Sequence, residues 1–105
     1  MDIYGLQAEF FKAMSHPLRM KILNVLKEKG TCVSDVVALV NETQPQVSRC
    51  LAALNMAGLV AHEKQGVKSC YRISNKEVFR LLDISKSIIK KQAEARAEAI
   101  KNKRR

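Results

Sequence analysis

Residues 43–60, TQPQVSRCLAALNMAGLV, decide how the rest of the chain is read. Thr43 can cap a helix start, and Gln46 three residues on completes a Thr-x-x-Gln capping box. Pro45 falls in the first turn, where its missing N–H loses no intrahelical bond. Val47, Leu51 and Leu54 recur at helical spacing and define one buried stripe. Gly58 stands where a helix can end in the left-handed conformation. The opposite face carries Gln44, Gln46, Ser48 and Arg49, side chains suited to base edges and phosphates in a major groove. A polar face is also what any solvated helix presents. The surroundings have to separate the two readings.

At 105 residues a single domain is expected, large enough for a core but too small to bury most of its surface alone. Help from a partner subunit is therefore plausible. The apolar fraction of 47% argues against global disorder. A formal charge of +9 points to a polyanion, with nucleic acid first. That charge is uneven: from Ile84 onward eight basic residues against Glu94 and Glu98 give +6, so part of it belongs to a basic tail. Cys32, Cys50 and Cys70 form no CxxC, and an odd count without a secretory leader argues against a secreted disulfide scaffold. No apolar run approaches the ~20 residues of a membrane span, so the reading is cytoplasmic, with no membrane partner.

Outward from the opening stretch, Ile3, Leu6, Phe10, Ala13 and Met14 predict a first helix over about Ile3–Met14, with Phe11 widening its apolar face. Ser15-His16-Pro17 is a break and restart, with Ser15 or His16 at the cap and Pro17 in the first turn. Leu18, Ile22, Val25 and Leu26 give the second helix its stripe, Arg19, Lys21 and Lys27 stay wet, and Gly30 closes it. Thr31–Val33 suits only a short strand or connector. Ser34 is expected to cap a brief third helix, with Asp35 in its first turn and Val36, Val37, Leu39 and Val40 as its apolar content. Asn41–Thr43 turn into the helix over the opening stretch, which completes a helix-turn-helix pattern.

After Gly58 the periodicity changes to two. Leu59–Lys64 predicts a strand, Gln65-Gly66 a turn, and Val67–Ser74 the returning strand, with Tyr71 and Ile73 on one face. Lys64, Lys68 and Arg72 make this hairpin basic, as a wing lying along the backbone or minor groove would be. Ser74 and Glu77 predict a second capping box and a long last helix, whose apolar side is Val78, Leu81, Leu82, Ile88 and Ile89. Residues 1–91 are expected to form one winged helix-turn-helix domain, and 92–105 a basic, alanine-rich helical tail that frays. The terminal helices hold more apolar surface than one small domain covers, which predicts dimerisation through them and two recognition helices on a palindromic site.

The whole order, mainly α with a two-stranded β wing, resembles the ArsR/SmtB family of winged-helix repressors over roughly Ala8–Lys91. The resemblance rests on FFKAMSHPLRMKIL (10–23), TCVSDV (31–36), the stretch 43–60 and KQGVKSCYRIS (64–74), and the combination is more specific than any one piece. It implies a homodimer that binds an operator in double-stranded DNA, usually to repress, and lets go when an effector binds. By position, Gln44, Gln46, Ser48 and Arg49 match residues that meet DNA in such proteins; Gln46 is claimed by both the cap and the groove. The sensing residues depart from the family. Its arsenic sensors carry Cys-x-Cys in the third-helix stretch, followed by another thiol; here Cys32 fits and Ser34 replaces the second thiolate. Its zinc sensors use Asp and His pairs on the last helix, where this chain has Asn75, Glu77 and Ile88, which cannot close a tetrahedral site. No complete zinc or arsenic site is recognised, and cofactor and metal stay unassigned.

The three thiols leave three readings open. A soft metalloid or Cu(I) site needs converging thiolates. If Thr31–Val33 pairs with the returning wing strand, Cys32 and Cys70 become cross-strand neighbours about 4.5–5.5 Å apart at Cα, within disulfide reach. That would allow a redox or persulfide switch. Otherwise each is a small buried hydrophobe, which suits Cys50, beside the Leu51 stripe, best. His16 and His62 have no spacing partner and read as capping or surface residues. No carboxylate couple, nucleophile elbow or phosphate-cradling glycine loop is present, so no catalysis is expected. The function expected is a dimeric, sequence-specific repressor relieved by an effector. Two alternatives stay open: a DNA-binding regulator answering a small organic ligand, and a winged-helix module for an acidic protein partner.

Overall fold

The computed structural model describes residues 2–26 and 29–104. Among these residues five helices and three strands occur in the order α1 (Ile3–Met14), α2 (Pro17–Val25), β1 (Thr31–Cys32), α3 (Val33–Val40), α4 (Gln44–Met56), β2 (Val60–Gln65), β3 (Lys68–Ile73) and α5 (Glu77–Lys103). The core lies where α2, α3 and α4 meet the base of the hairpin: Ile22, Leu23, Val36, Val47, Leu51, Leu54 and Leu59 are wholly buried. Each such side chain contributes roughly 1.5–3 kcal/mol of burial.

Local chemistry explains most boundaries. Asp2 caps α1 by accepting from the Gly5 N–H at 2.8 Å. His16 is the N-cap of α2, and Pro17 begins it. The helix stops at Val25, so Gly30, at φ +77°, shapes the turn into β1 rather than closing α2. Lys27 lies outside the described residues. Arg19 and Lys21 are not merely wet: their cations donate to the carbonyls of Ala13 (3.2 Å) and Val40 (3.0 Å), near the C-termini of α1 and α3. Cations are favoured there by the helix dipole.

Cys32, not Ser34, is the N-cap of α3, which starts two residues earlier than the serine rule suggests. Leu39 is 56% exposed and does not join the core. Asn41, left-handed at φ 55°, ends α3 and opens the turn into α4. The end of α4 is a Schellman closure: Leu59 N–H bonds the Leu54 carbonyl and Gly58 N–H that of Asn55, both at 3.0 Å, with Gly58 at φ +77°.

The sheet has three strands, in the order β1-β3-β2, all antiparallel. Gln65 pairs with Lys68, so the hairpin turn is Gly66-Val67, one residue later than expected. Gly66 takes the positive φ (65°) that such a turn needs. The Ser74–Glu77 box does not form. Ser74 donates its hydroxyl to the Gly58 carbonyl, tying the wing's exit to its entrance, and Asn75 Oδ1 accepts the Glu77 N–H at 2.9 Å.

The last helix runs unbroken from Glu77 through Lys103. At 27 residues it is about 40 Å long, yet only Val78 and Leu82 in it are buried. Ile84, Ile88, Ile89 and Ile100 stand half or more exposed, as do Ile3 and Leu6 on α1. The molecule is accordingly elongated, 63 × 38 × 22 Å.

Candidate nucleic-acid interface

The site is built from the inside of α4 outward. Val47, Leu51 and Leu54 lock one side of that helix into the core, with Cys50 at its margin, 8% exposed. Helical spacing then turns Gln44, Gln46, Ser48 and Arg49 to solvent, and all four are exposed. The predicted capping box is formed: Thr43 Oγ1 accepts from Gln46 N–H at 3.5 Å, and Gln46 Oε1 accepts from Thr43 N–H at 3.4 Å. The Thr43 hydroxyl also donates to Gln46 Oε1, at 2.9 Å. Both lone pairs of that oxygen are thus engaged, and only the amide NH2 of Gln46 points outward for a ligand.

Beside α4, an open cleft of about 330 Å³ is lined by His16, Leu18, Arg19, Gln46, Arg49 and Cys50. It sets two guanidinium groups and an imidazole around the first turn of α2, whose cap His16 makes no side-chain capping bond. Cations gathered in this way favour an anion. The sequence reading missed Arg19 and His16 here. They precede α4 by more than twenty residues, and only packing of α2 on α4 brings them to it.

The hairpin carries its cations unevenly. Lys64 pairs with Ser69 and Gln65 with Lys68, so alternation puts Lys64 and Lys68 on opposite faces, both exposed. Arg72 is neutralised by an ion pair with Glu63 on β2. His62 is at the surface, 2.6 Å from Ser69 Oγ and stacked at a tilt on Tyr71.

The thiols divide. Thr31 pairs with Tyr71 and Cys32 with Cys70, so β1 extends the wing's own sheet. The two Sγ atoms touch at 2.6 Å, with both cysteines free, Cys70 wholly buried and Cys32 half-buried. The hydrogen bond to Cys32, then burial and the charge of Cys32, push the Cys70 thiol up to about 11. Cys50 lies in the α2–α4 cleft instead. Among the described residues no three His, Cys, Asp or Glu side chains converge as a metal site would need. No helix among them is long and apolar enough to cross a membrane.

A polar-faced helix held by a short turn against a supporting helix, with a basic hairpin beside it, defines a winged helix-turn-helix DNA-binding protein. Comparison with known proteins agrees. Residues 16–62 match the family described as bacterial regulatory protein, arsR family. An uncharacterised HTH-type transcriptional regulator of Methanocaldococcus jannaschii is 37% identical over 87 residues, spanning 79% of this chain and 98% of that protein. The arsenical resistance operon repressor of Escherichia coli is 37% identical over 70 residues, 66% of this chain and 60% of that protein. The solution structure of a homodimeric winged helix-turn-helix DNA-binding domain from Mycobacterium bovis, a possible ArsR-family regulator, superposes with a TM-score of 0.80. It is 25% identical, and the match covers 89% of this chain and 86% of that one. The chain belongs to the ArsR family. It is a DNA-binding transcriptional regulator, not an enzyme.

Proposed function

We propose that this regulator is a homodimeric repressor that reads a palindromic operator with α4 and releases it when an effector acts on the protein. The observation that carries the reading is the exposed set Gln44, Ser48 and Arg49 on a helix whose other side is locked into the core. Arg49 is the base reader, since a guanidinium can grip a guanine edge with two bonds. Gln44 and Ser48 supply shorter polar contacts, and Gln46 donates through its NH2 alone. Lys64 and Lys68 follow the phosphates from the wing, and the His16–Arg19–Arg49 cleft seats a backbone phosphate beside α4.

The dimer reading rests on α1 and α5. A 27-residue helix with two buried side chains and a row of exposed isoleucines needs a second apolar face to cover it. A second copy of the chain provides one, and its two-fold axis would present two recognition helices to successive major grooves. Light scattering coupled to size exclusion reads the oligomeric state. A salt series of duplex binding reads the phosphate contacts, because log affinity then falls linearly with log salt. A monomer at working concentration, or an affinity flat across salt, would overturn the proposal. A salt-sensitive partner that is an acidic protein, with no preference for any duplex, would favour the interaction-module alternative.

The effector chemistry follows neither the family's arsenic nor its zinc pattern in this reading. Ser34 stands where a second thiolate is needed, and Asn75, Glu77 and Ile88 offer no closed nitrogen and oxygen set. A small organic ligand seated between the terminal helices is the remaining alternative to thiol chemistry, and loss of duplex binding on titration with candidate ligands, unchanged by Cys32→Ala, would favour it.

A further inference from the structure

We infer that Cys32 and Cys70 form a two-electron redox site, closing to a disulfide that ties the wing to the helix-turn-helix and weakens its grip on DNA. Three independent features converge on the pair. The residues are register partners across β1 and β3, so their backbones already stand at cross-strand separation. Their sulfurs are in contact, with no group between them. Their exposures differ: Cys32 is half-buried and open to a small oxidant, whereas Cys70 has no accessible surface.

That difference sets the order of events. With hydrogen peroxide as oxidant, the Cys32 thiolate attacks one oxygen, the O–O bond breaks, and Cys32 becomes a sulfenic acid while hydroxide leaves and takes a proton to become water. The Cys70 sulfur then attacks the Cys32 sulfur. Its S–H proton goes with the departing hydroxyl as a second water, and the S–S bond forms. Two thiols and one peroxide give one disulfide and two waters; sulfur loses two electrons and the peroxide gains them. Cys70 is suited to the second step alone, since its raised proton affinity keeps it a thiol until a neighbouring sulfur becomes electrophilic. A dithiol reductant reverses the change.

The consequence lies in what the bond encloses. Between residues 32 and 70 the chain makes α3, α4 and β2, which carry Gln44, Ser48, Arg49 and Lys64. Cys32 caps α3, the helix that supports α4, and Cys70 sits in the wing's inner strand. In the dithiol form only noncovalent contacts hold β1 to the wing's strand at this point, and these can yield as wing and recognition helix each meet their groove. The crosslink joins them at the base and removes that adjustment. Only this release step rests on the DNA-binding reading; the sulfur chemistry does not.

The test uses the full-length protein, reduced, then treated with stoichiometric hydrogen peroxide, then re-reduced with a dithiol. Intact mass and non-reducing peptide mapping follow the thiols, and a labelled mixed-sequence duplex in dilute buffer follows DNA binding. The expected result is loss of two hydrogens, mapped to Cys32 and Cys70, with binding roughly fivefold or more weaker and restored on re-reduction. Cys50→Ala should keep the crosslink, and Cys32→Ala should abolish both it and the change in binding. Cys32→Ala alters a half-buried position, so it is the safer variant to fold; Cys70→Ala is the second. Both thiols surviving peroxide, or a bond through Cys50, would overturn the site. Equal or tighter duplex binding by the crosslinked form would overturn the release step. A reduced protein indifferent to the duplex would overturn the DNA-binding reading and the release step with it, while the mass result still judges the sulfur site.

Discussion

Thr43→Ala separates the two demands made on Gln46. The Thr43 hydroxyl makes one close bond, to Gln46 Oε1 at 2.9 Å, while the two backbone bonds of the box are long, at 3.4 and 3.5 Å. Loss of an N-cap threonine costs about 0.5–2 kcal/mol, and the long backbone bonds place this cap in the lower half of that range. We expect about 0.5–1 kcal/mol, read as a fall in Tm of roughly 2–8 °C for a domain of this size. The second consequence is in specificity. A glutamine reads adenine by accepting from N6 and donating to N7 at once, and the capped Gln46 has no acceptor to spare. Removing the hydroxyl frees Oε1. Operator selection from a randomised duplex library should then gain adenine at the base facing Gln46, where the parent prefers a pure acceptor edge. A full bidentate pair discriminates by about 1–3 kcal/mol, well within what such selection resolves. Destabilisation with an unchanged base preference would show that Gln46 never reaches a base. An unchanged Tm would show that the box carries no weight.

Other substitutions and conditions probe the remaining groups. Arg49→Ala should cost about 1–3 kcal/mol on the best operator and relax preference at one base pair, whereas Lys68→Ala should weaken all duplexes alike and lower the salt slope by about one; gel-shift titrations across salt distinguish them. Ile88→Glu, at a position 52% exposed on the isolated chain, should give a helical monomer by light scattering, and a persisting dimer would exclude α5 as the interface. Cys70 faces Cys32 and, across the strand, Glu63, with Lys68 opposing and Asp35 adding to its raised pKa. A thiol raised to about 11 in the fold binds more protons than the unfolded chain between about pH 8.5 and 11. Its contribution to stability is therefore complete below that window and is lost as pH rises through it; the alkaline fall in Tm should be shallower in Cys70→Ala. The crosslinked form should be the more stable one. Closing a loop of this sequence separation, 38 residues, is worth about 4 kcal/mol by chain entropy, measurable as a higher denaturant midpoint that reverts on reduction.

Much of this regulator was legible in its residues because the decisive signals are local. The Thr43–Gln46 box, Pro17 and Pro45 in first turns, Gly58 at a helix end, and the change of period after it depend on neighbours within a few positions. The same reasoning erred where two local options competed: Cys32 rather than Ser34 caps α3, the hairpin turns at Gly66-Val67, and Ser74 serves the Gly58 carbonyl instead of the last helix. In the first and last cases a contact distant in sequence won, the β1–β3 pairing and the closure of the wing's base; the hairpin turn follows the Gln65–Lys68 register.

Which distant residues meet was fixed by packing alone. Spacing cannot say that Arg19 and His16 stand beside Arg49, that Arg72 spends its charge on Glu63, or that Lys64 and Lys68 face opposite ways. It offered the meeting of Cys32 and Cys70 only as a condition on a pairing that two β-compatible residues are too few to announce. The physical reason is the same throughout: helix and turn propensities act over one or two turns of chain, whereas a site is made by side chains that packing of the core brings together.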